Sequence, residues 1–284
     1  MKLIRFFITL IILSLSFQIC AKTKQLSVVT SSSPIASIFY MVLGDIGTVE
    51  YLAKSHGCSH DYHMKPSQLN LLKNADIIAY IDDNFDGFII QNVQQNSAYI
   101  LKFSKLPLEL IKNENGLVNW HIWLKIKNVR LILDEILNIL VKTSPQHTEQ
   151  FVSNYQKALK NLELIERRIE NLGETKNILL LGESLEYLFD NFKTATDKKF
   201  LGNKQPTLKY INDIRESFSN SSKICLVLDA QHQSEKYYTD ILNDSKVKIV
   251  ALNAENWLFE KDLDKQQLYY GEFQLMLNSI MSCF

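Results

Sequence analysis

Between residues 151 and 172 the chain carries an apolar stripe that no proline or glycine interrupts: Phe151, Tyr155, Leu159, Leu162, Ile165, Ile169 and Leu172, each three or four positions from the last. That spacing puts the whole set on one face of an α-helix. At about 1.5 Å of rise per residue, a helix of roughly 25 residues is nearly 40 Å long, enough to cross from one domain to another. A chain with such a helix at its middle is expected to be built around it.

The segments on either side share a pattern. Ahead of the helix, residues 25–30, 49–53 and 77–81 read as short buried strands. Helical spacing follows Ser33-Pro34 and Pro66-Ser67-Gln68, and a further amphipathic helix is expected over 129–140. Behind it, strands are expected at 178–181, 224–228 and 247–252, with helices near 185–192, 209–218, 237–242 and 270–283. Strands that alternate with helices imply mainly parallel sheets. The expected fold is therefore two α/β lobes joined by one long helix, divided as 22–144, a spine over 145–173, and 174–284. No internal repeat, low-complexity stretch or glycine-rich phosphate loop is evident, and the chain has only nine glycines.

The first 21 residues stand apart. Lys2 and Arg5 precede an apolar run that is too short to span a bilayer but suits a secretory signal, with Ala21 before the expected cut. Cleavage before Cys20 with lipidation of that cysteine is the alternative, although Ile19 is bulky for it. Either way the mature chain is expected in the periplasm, where disulfides persist, and it retains Cys58, Cys225 and Cys283. Lys+Arg and Asp+Glu each number 31, so no basic surplus exists to neutralise a nucleic-acid backbone.

Two places carry chemistry. His56, His60 and His63 crowd into one loop with Cys58, and imidazole and thiolate are the donors zinc prefers. Solvated loop histidines would look the same. His121 sits between Trp120 and Trp123, where a histidine taken alone is more often a packed core residue than a ligand. His147, near a helix start, and His232, after a strand, carry no such signal.

Taken in order, the runs Gly57-Cys-Ser-His60-Asp-Tyr-His63-Met-Lys-Pro66-Ser-Gln68, Lys73-Asn-Ala-Asp76 and His121-Ile-Trp123-Leu124 resemble the periplasmic zinc-binding proteins of ABC metal importers, cluster A-I of the solute-binding proteins. Cys225-Leu-Val-Leu-Asp-Ala-Gln231 and the ending Ser282-Cys283 extend the resemblance across nearly the whole mature chain. The resemblance implies a metal site in the cleft between lobes, with His60 and His121 as ligands from the first lobe. It implies a disulfide between Cys225 and Cys283, zinc as cargo, and a monomer that serves an inner-membrane ABC permease. It implies no enzyme, and no nucleophile–base set or His-Glu-x-x-His helix suggests one.

The departures lie in the second lobe. Gly182-Glu183-Ser184 stands where the family has its third ligand, a histidine. Asn253 stands where the family has its fourth, an aspartate, and an amide brings no charge to a cation. Glu183, His63 and Cys58 are the candidate substitutes. A degenerate paralogue, acting as an interaction or surface protein on the same fold, is the competing reading.

Overall fold

The computed structural model describes residues 25–53, 64–94, 96–113, 115–172, 177–192, 196–198 (backbone), 207–217, 223–257 and 264–283. In chain order the first lobe contains β1 (Leu26–Thr30), α1 (Ser33–Leu43), β2 (Gly47–Tyr51), α2 (Pro66–Asn74), β3 (Ile77–Tyr80), α3 (Ile90–Val93) and β4 (Tyr99–Lys102). Two helices follow, α4 (Ile126–Thr143) and α5 (Thr148–Asn171). The second lobe contains β5 (Ile178–Leu181), α6 (Glu186–Phe189), β6 (Thr196–Lys198), α7 (Leu208–Ser217), β7 (Ile224–Asp229), α8 (Glu235–Leu242), β8 (Val247–Leu252) and α9 (Leu268–Met281).

Each lobe has a four-stranded sheet in which all pairings are parallel, ordered β2-β1-β3-β4 in the first and β6-β5-β7-β8 in the second. The winding is the same in both. Each order reverses direction between the lobe's first and third strands, and ligands of open α/β sheets bind beyond the carboxyl ends of the strands at that switch point.

The long helix is α5, and its stripe behaves as the spacing predicts: Phe151, Leu162 and Ile165 are fully buried, and Tyr155, Leu159 and Leu172 pack partly buried against the same core. A side chain of this kind contributes about 1.5–3 kcal/mol relative to leaving it in water. α1 is buried on every side, as expected of a helix apolar all round, and it lies against α5, where Asn154 Nδ2 donates to the Val42 carbonyl at 3.1 Å.

The strands alternate between two cores. Val28, Ile77 and Ala79 of the first sheet share one large core with Ile178, Leu180, Cys225 and Val227 of the second, together with α1, α4, α5 and α9. Val29, Ile78 and Tyr80 face a small core of the first lobe alone, and Leu179, Leu181, Leu226 and Leu228 face one of the second. A disulfide joins Cys225 of β7 to Cys283 beyond α9, with Cα atoms 5.4 Å apart.

The sequence reading omitted β4 and β6. β4 is a four-residue edge strand with only Leu101 buried, so the apolar run that marks a central strand is missing. Helix ends elsewhere differ by a few residues. The last helix starts at Leu268, after a turn that Asp264 caps by accepting from Gln266 N.

Candidate metal centre

His121 comes from the segment between β4 and α4. Asn119 fixes its orientation: Asn119 Nδ2 donates to the Glu183 carbonyl at 2.6 Å and to Glu186 Oε2 at 3.3 Å, so its Oδ1 must be the atom that faces His121. That oxygen accepts from His121 N at 3.1 Å and lies 2.7 Å from Nδ1. An amide oxygen only accepts, so Nδ1 carries the proton and Nε2 is the nitrogen turned to the cleft. Phe85 and Trp123 wall the ring, with centroids 6.0 and 5.1 Å away.

Opposite Nε2, at 2.5 Å, stands Glu255 Oε1 from the second lobe. The loop after β8 delivers it. Asn253 folds its side chain back on that loop, where Oδ1 accepts from Asn256 N at 2.9 Å and Nδ2 donates to the Asn256 carbonyl. The next residues are pinned to the first lobe: Trp123 Nε1 donates to the Ala254 carbonyl at 2.8 Å, Ser33 Oγ donates to the Glu255 carbonyl at 3.0 Å, and Trp257 N donates to Ser33 Oγ at 3.0 Å. Ser33 begins α1 just past β1, so the switch point of the first sheet holds the backbone of the second lobe's loop.

Two further groups approach Glu255. Asp229, the last residue of β7, is buried; it accepts from Ser184 Oγ and, at 3.0 Å, from Gln231 N. His232 follows in the turn, with Nε2 3.9 Å from Asp229 Oδ2. One donor atom each from Asp229, His232 and Glu255 lies within 4.8 Å of the others. Burial by itself would raise the Glu255 carboxyl, but the hydrogen bond and charge of His121 and the charge of His232 outweigh it and hold Glu255 below its ordinary range.

His60, His63 and Cys58 lie outside the described residues, which stop at Ala53 beyond β2 and resume at Met64. Glu183 is exposed, its carbonyl rather than its carboxylate meets Asn119, and it is not in the group formed by Asp229, His232 and Glu255. At Gly182 the backbone has φ +143°, which side-chain-bearing residues rarely adopt, and a Cβ there would lie 3.5 Å from that of Asp229. The sequence reading missed Glu255 and set His232 aside. A signal was present: acids and an imidazole at the carboxyl ends of the third and fourth strands of one sheet.

A family model described as zinc-uptake complex component A, periplasmic, matches residues 28–283. Among individual relatives, the uncharacterized protein RP014 of Rickettsia prowazekii is 33% identical over 289 residues, covering 100% of this chain and 92% of that protein. The manganese ABC transporter substrate-binding lipoprotein scaA of Streptococcus gordonii is 20% identical over 306 residues, covering 99% and 98%. The periplasmic zinc-binding protein TroA of Treponema pallidum superposes with a TM-score of 0.73 at 15% identity, over 90% of this chain and 98% of that one. Two parallel-sheet lobes, a long helix and a match from residue 28 to residue 283 lead to one conclusion: the chain belongs to the zinc-uptake component A family of metal-binding solute-binding proteins that serve ABC importers.

Proposed function

We propose that the mature chain, residues 22–284 after removal of a signal peptide, captures a divalent transition metal in the periplasm and passes it to the permease of an ABC importer. Zinc is the leading cargo. The observation that carries this reading is the approach of His121 Nε2 and Glu255 Oε1 from opposite lobes to 2.5 Å. With Nδ1 protonated, Nε2 and the carboxylate at 2.5 Å share either a proton, as in a hydrogen bond between them, or a cation in its place. Imidazole and carboxylate are donors that suit zinc, and relatives named for manganese keep the choice of metal an experimental matter. His60 is proposed as the second donor from the first lobe, with no catalytic step.

The test is metal content after purification without chelator, then titration with Zn(II) against a competing chelator. His121→Ala is expected to abolish binding at the competitor's range while leaving the fold intact. A parent protein that takes up neither Zn(II), Co(II) nor Mn(II) would favour the second reading, an interaction protein that has lost metal capture. Gly182 and Asn253, in place of two family ligands, are what support that reading.

A further inference from the structure

We infer that the second lobe has rebuilt its half of the coordination sphere from other positions: Glu255 and His232 take the two places that Gly182 and Asn253 leave unfilled, with Asp229 fixed behind them as a buried negative charge. This rests on the metal-capturing reading above and specifies its ligands.

The geometry allows it. Donors on one tetrahedral zinc stand about 3.3 Å apart, given bonds near 2.0–2.1 Å. His121 Nε2 and Glu255 Oε1 are 2.5 Å apart, and the donor atoms of Glu255, His232 and Asp229 lie within 4.8 Å of one another. Glu255 is the member the two lobes share: His121 Nε2 meets it from the first lobe, and His232 and Asp229 stand beside it in the second. The first-lobe imidazole also presents the correct nitrogen, because Asn119 holds the proton on Nδ1.

Asn253 supports the exchange from the other side. Its amide is spent on Asn256, and the loop so formed projects Glu255, two residues on, into the cleft. A carboxylate there restores the negative charge that an asparagine withholds. His232 supplies the imidazole from β7's end instead of from β5's, where Gly182 has φ +143°, a backbone that residues with side chains rarely adopt. Both strands flank the same switch point, so one cleft is served from either end. Asp229 accepts from Ser184 and Gln231 N, which hold it rigid 3.9 Å from His232. Glu183, by contrast, lies exposed outside the group.

The experiment uses the mature protein and Zn(II) in chelator competition, for the parent, Glu255→Gln, His232→Ala and Glu183→Gln, with thermal midpoints measured alongside. Glu255→Gln and His232→Ala are each expected to weaken zinc by more than the ten- to hundredfold that loss of an outer partner costs. Zinc-edge X-ray absorption should count one imidazole fewer in His232→Ala than in the parent. Should Glu255→Gln fail to fold, Glu255→Asp, which keeps the charge on a shorter arm, is expected to bind with intermediate affinity. A parent that binds zinc while Glu255→Gln and His232→Ala bind equally well overturns the relocation and leaves metal capture standing. So does a parent whose affinity falls with Glu183→Gln alone. A parent that binds no metal overturns both.

Discussion

Acids gather at the carboxyl ends of strands in both lobes, and the two lobes treat them differently. Beyond β3, Asp82 and Asp83 pair with Lys102 at 3.4 and 2.8 Å, Tyr80 donates to Asp83, and Asp86 accepts from the backbone N–H groups of Ile81 and Asp82. Those charges are satisfied within their own lobe. Beyond β7 and β8, Asp229, His232 and Glu255 gather within 4.8 Å, Glu255 meets His121 across the cleft, and among the described residues no lysine or arginine pairs with them. With one sheet topology used twice, the side chains at the strand ends decide which lobe satisfies its charges internally and which turns them to the cleft.

The sharpest way to break the comparison is to remove the bond that only the second lobe has. Cys225 and Cys283 are 58 residues apart, and closing such a loop stabilises by about 4 kcal/mol in the chain-entropy model. Cys283→Ser should lower stability by about that amount in denaturant titration. Alkylation of the denatured, unreduced parent should leave both cysteines unmodified.

Next comes an effect confined to the first lobe. Burial pushes Asp86 up to about 7 from an ordinary value near 3.8, against the backbone N–H groups of Ile81 and Asp82. An unfolded chain releases that proton above about pH 4, and the folded chain keeps it until about 7. The folded state therefore binds more protons in that window, and stability falls as pH rises through it, then levels off. Asp86→Asn has no proton to lose and should flatten this part of the profile, as read by denaturant midpoints between pH 4 and 8.

A smaller effect returns to the second lobe. Gly182→His puts the family's residue back, but onto a backbone at φ +143° and against Asp229. It should cost about 1–3 kcal/mol of stability and bring no gain in zinc affinity. A gain would show that the old site is intact and would count against its relocation.

Much of this architecture could be read from residues alone, because it rests on periodicity. The stripe from Phe151 to Leu172 and the alternation of strands and helices follow from burial on one face, and His121 stood out between its tryptophans. Glu255 did not, since nothing in Leu252-Asn-Ala-Glu-Asn-Trp257 marks it. Its place depends on Ser33, 222 residues away, and on the indole of Trp123, and such pairings become visible only once the lobes are side by side. His232 was passed over for the same reason: a turn histidine gains meaning only from the carboxylates that folding brings to it. β4 and β6 are short strands, and the pairing that defines them is with a neighbour rather than with any local pattern.

The chain has three tryptophans, and all of them border the junction: Trp120 adjoins His121, Trp123 donates to the Ala254 carbonyl across the cleft, and the Trp257 backbone N–H donates to Ser33 Oγ. With the His121 ring only 5.1 Å from that of Trp123, the protein carries its own optical gauge at the place where a cation would arrive. No indole elsewhere in the chain dilutes the signal. The ultraviolet emission of the unlabelled protein is thus a readout of the cleft.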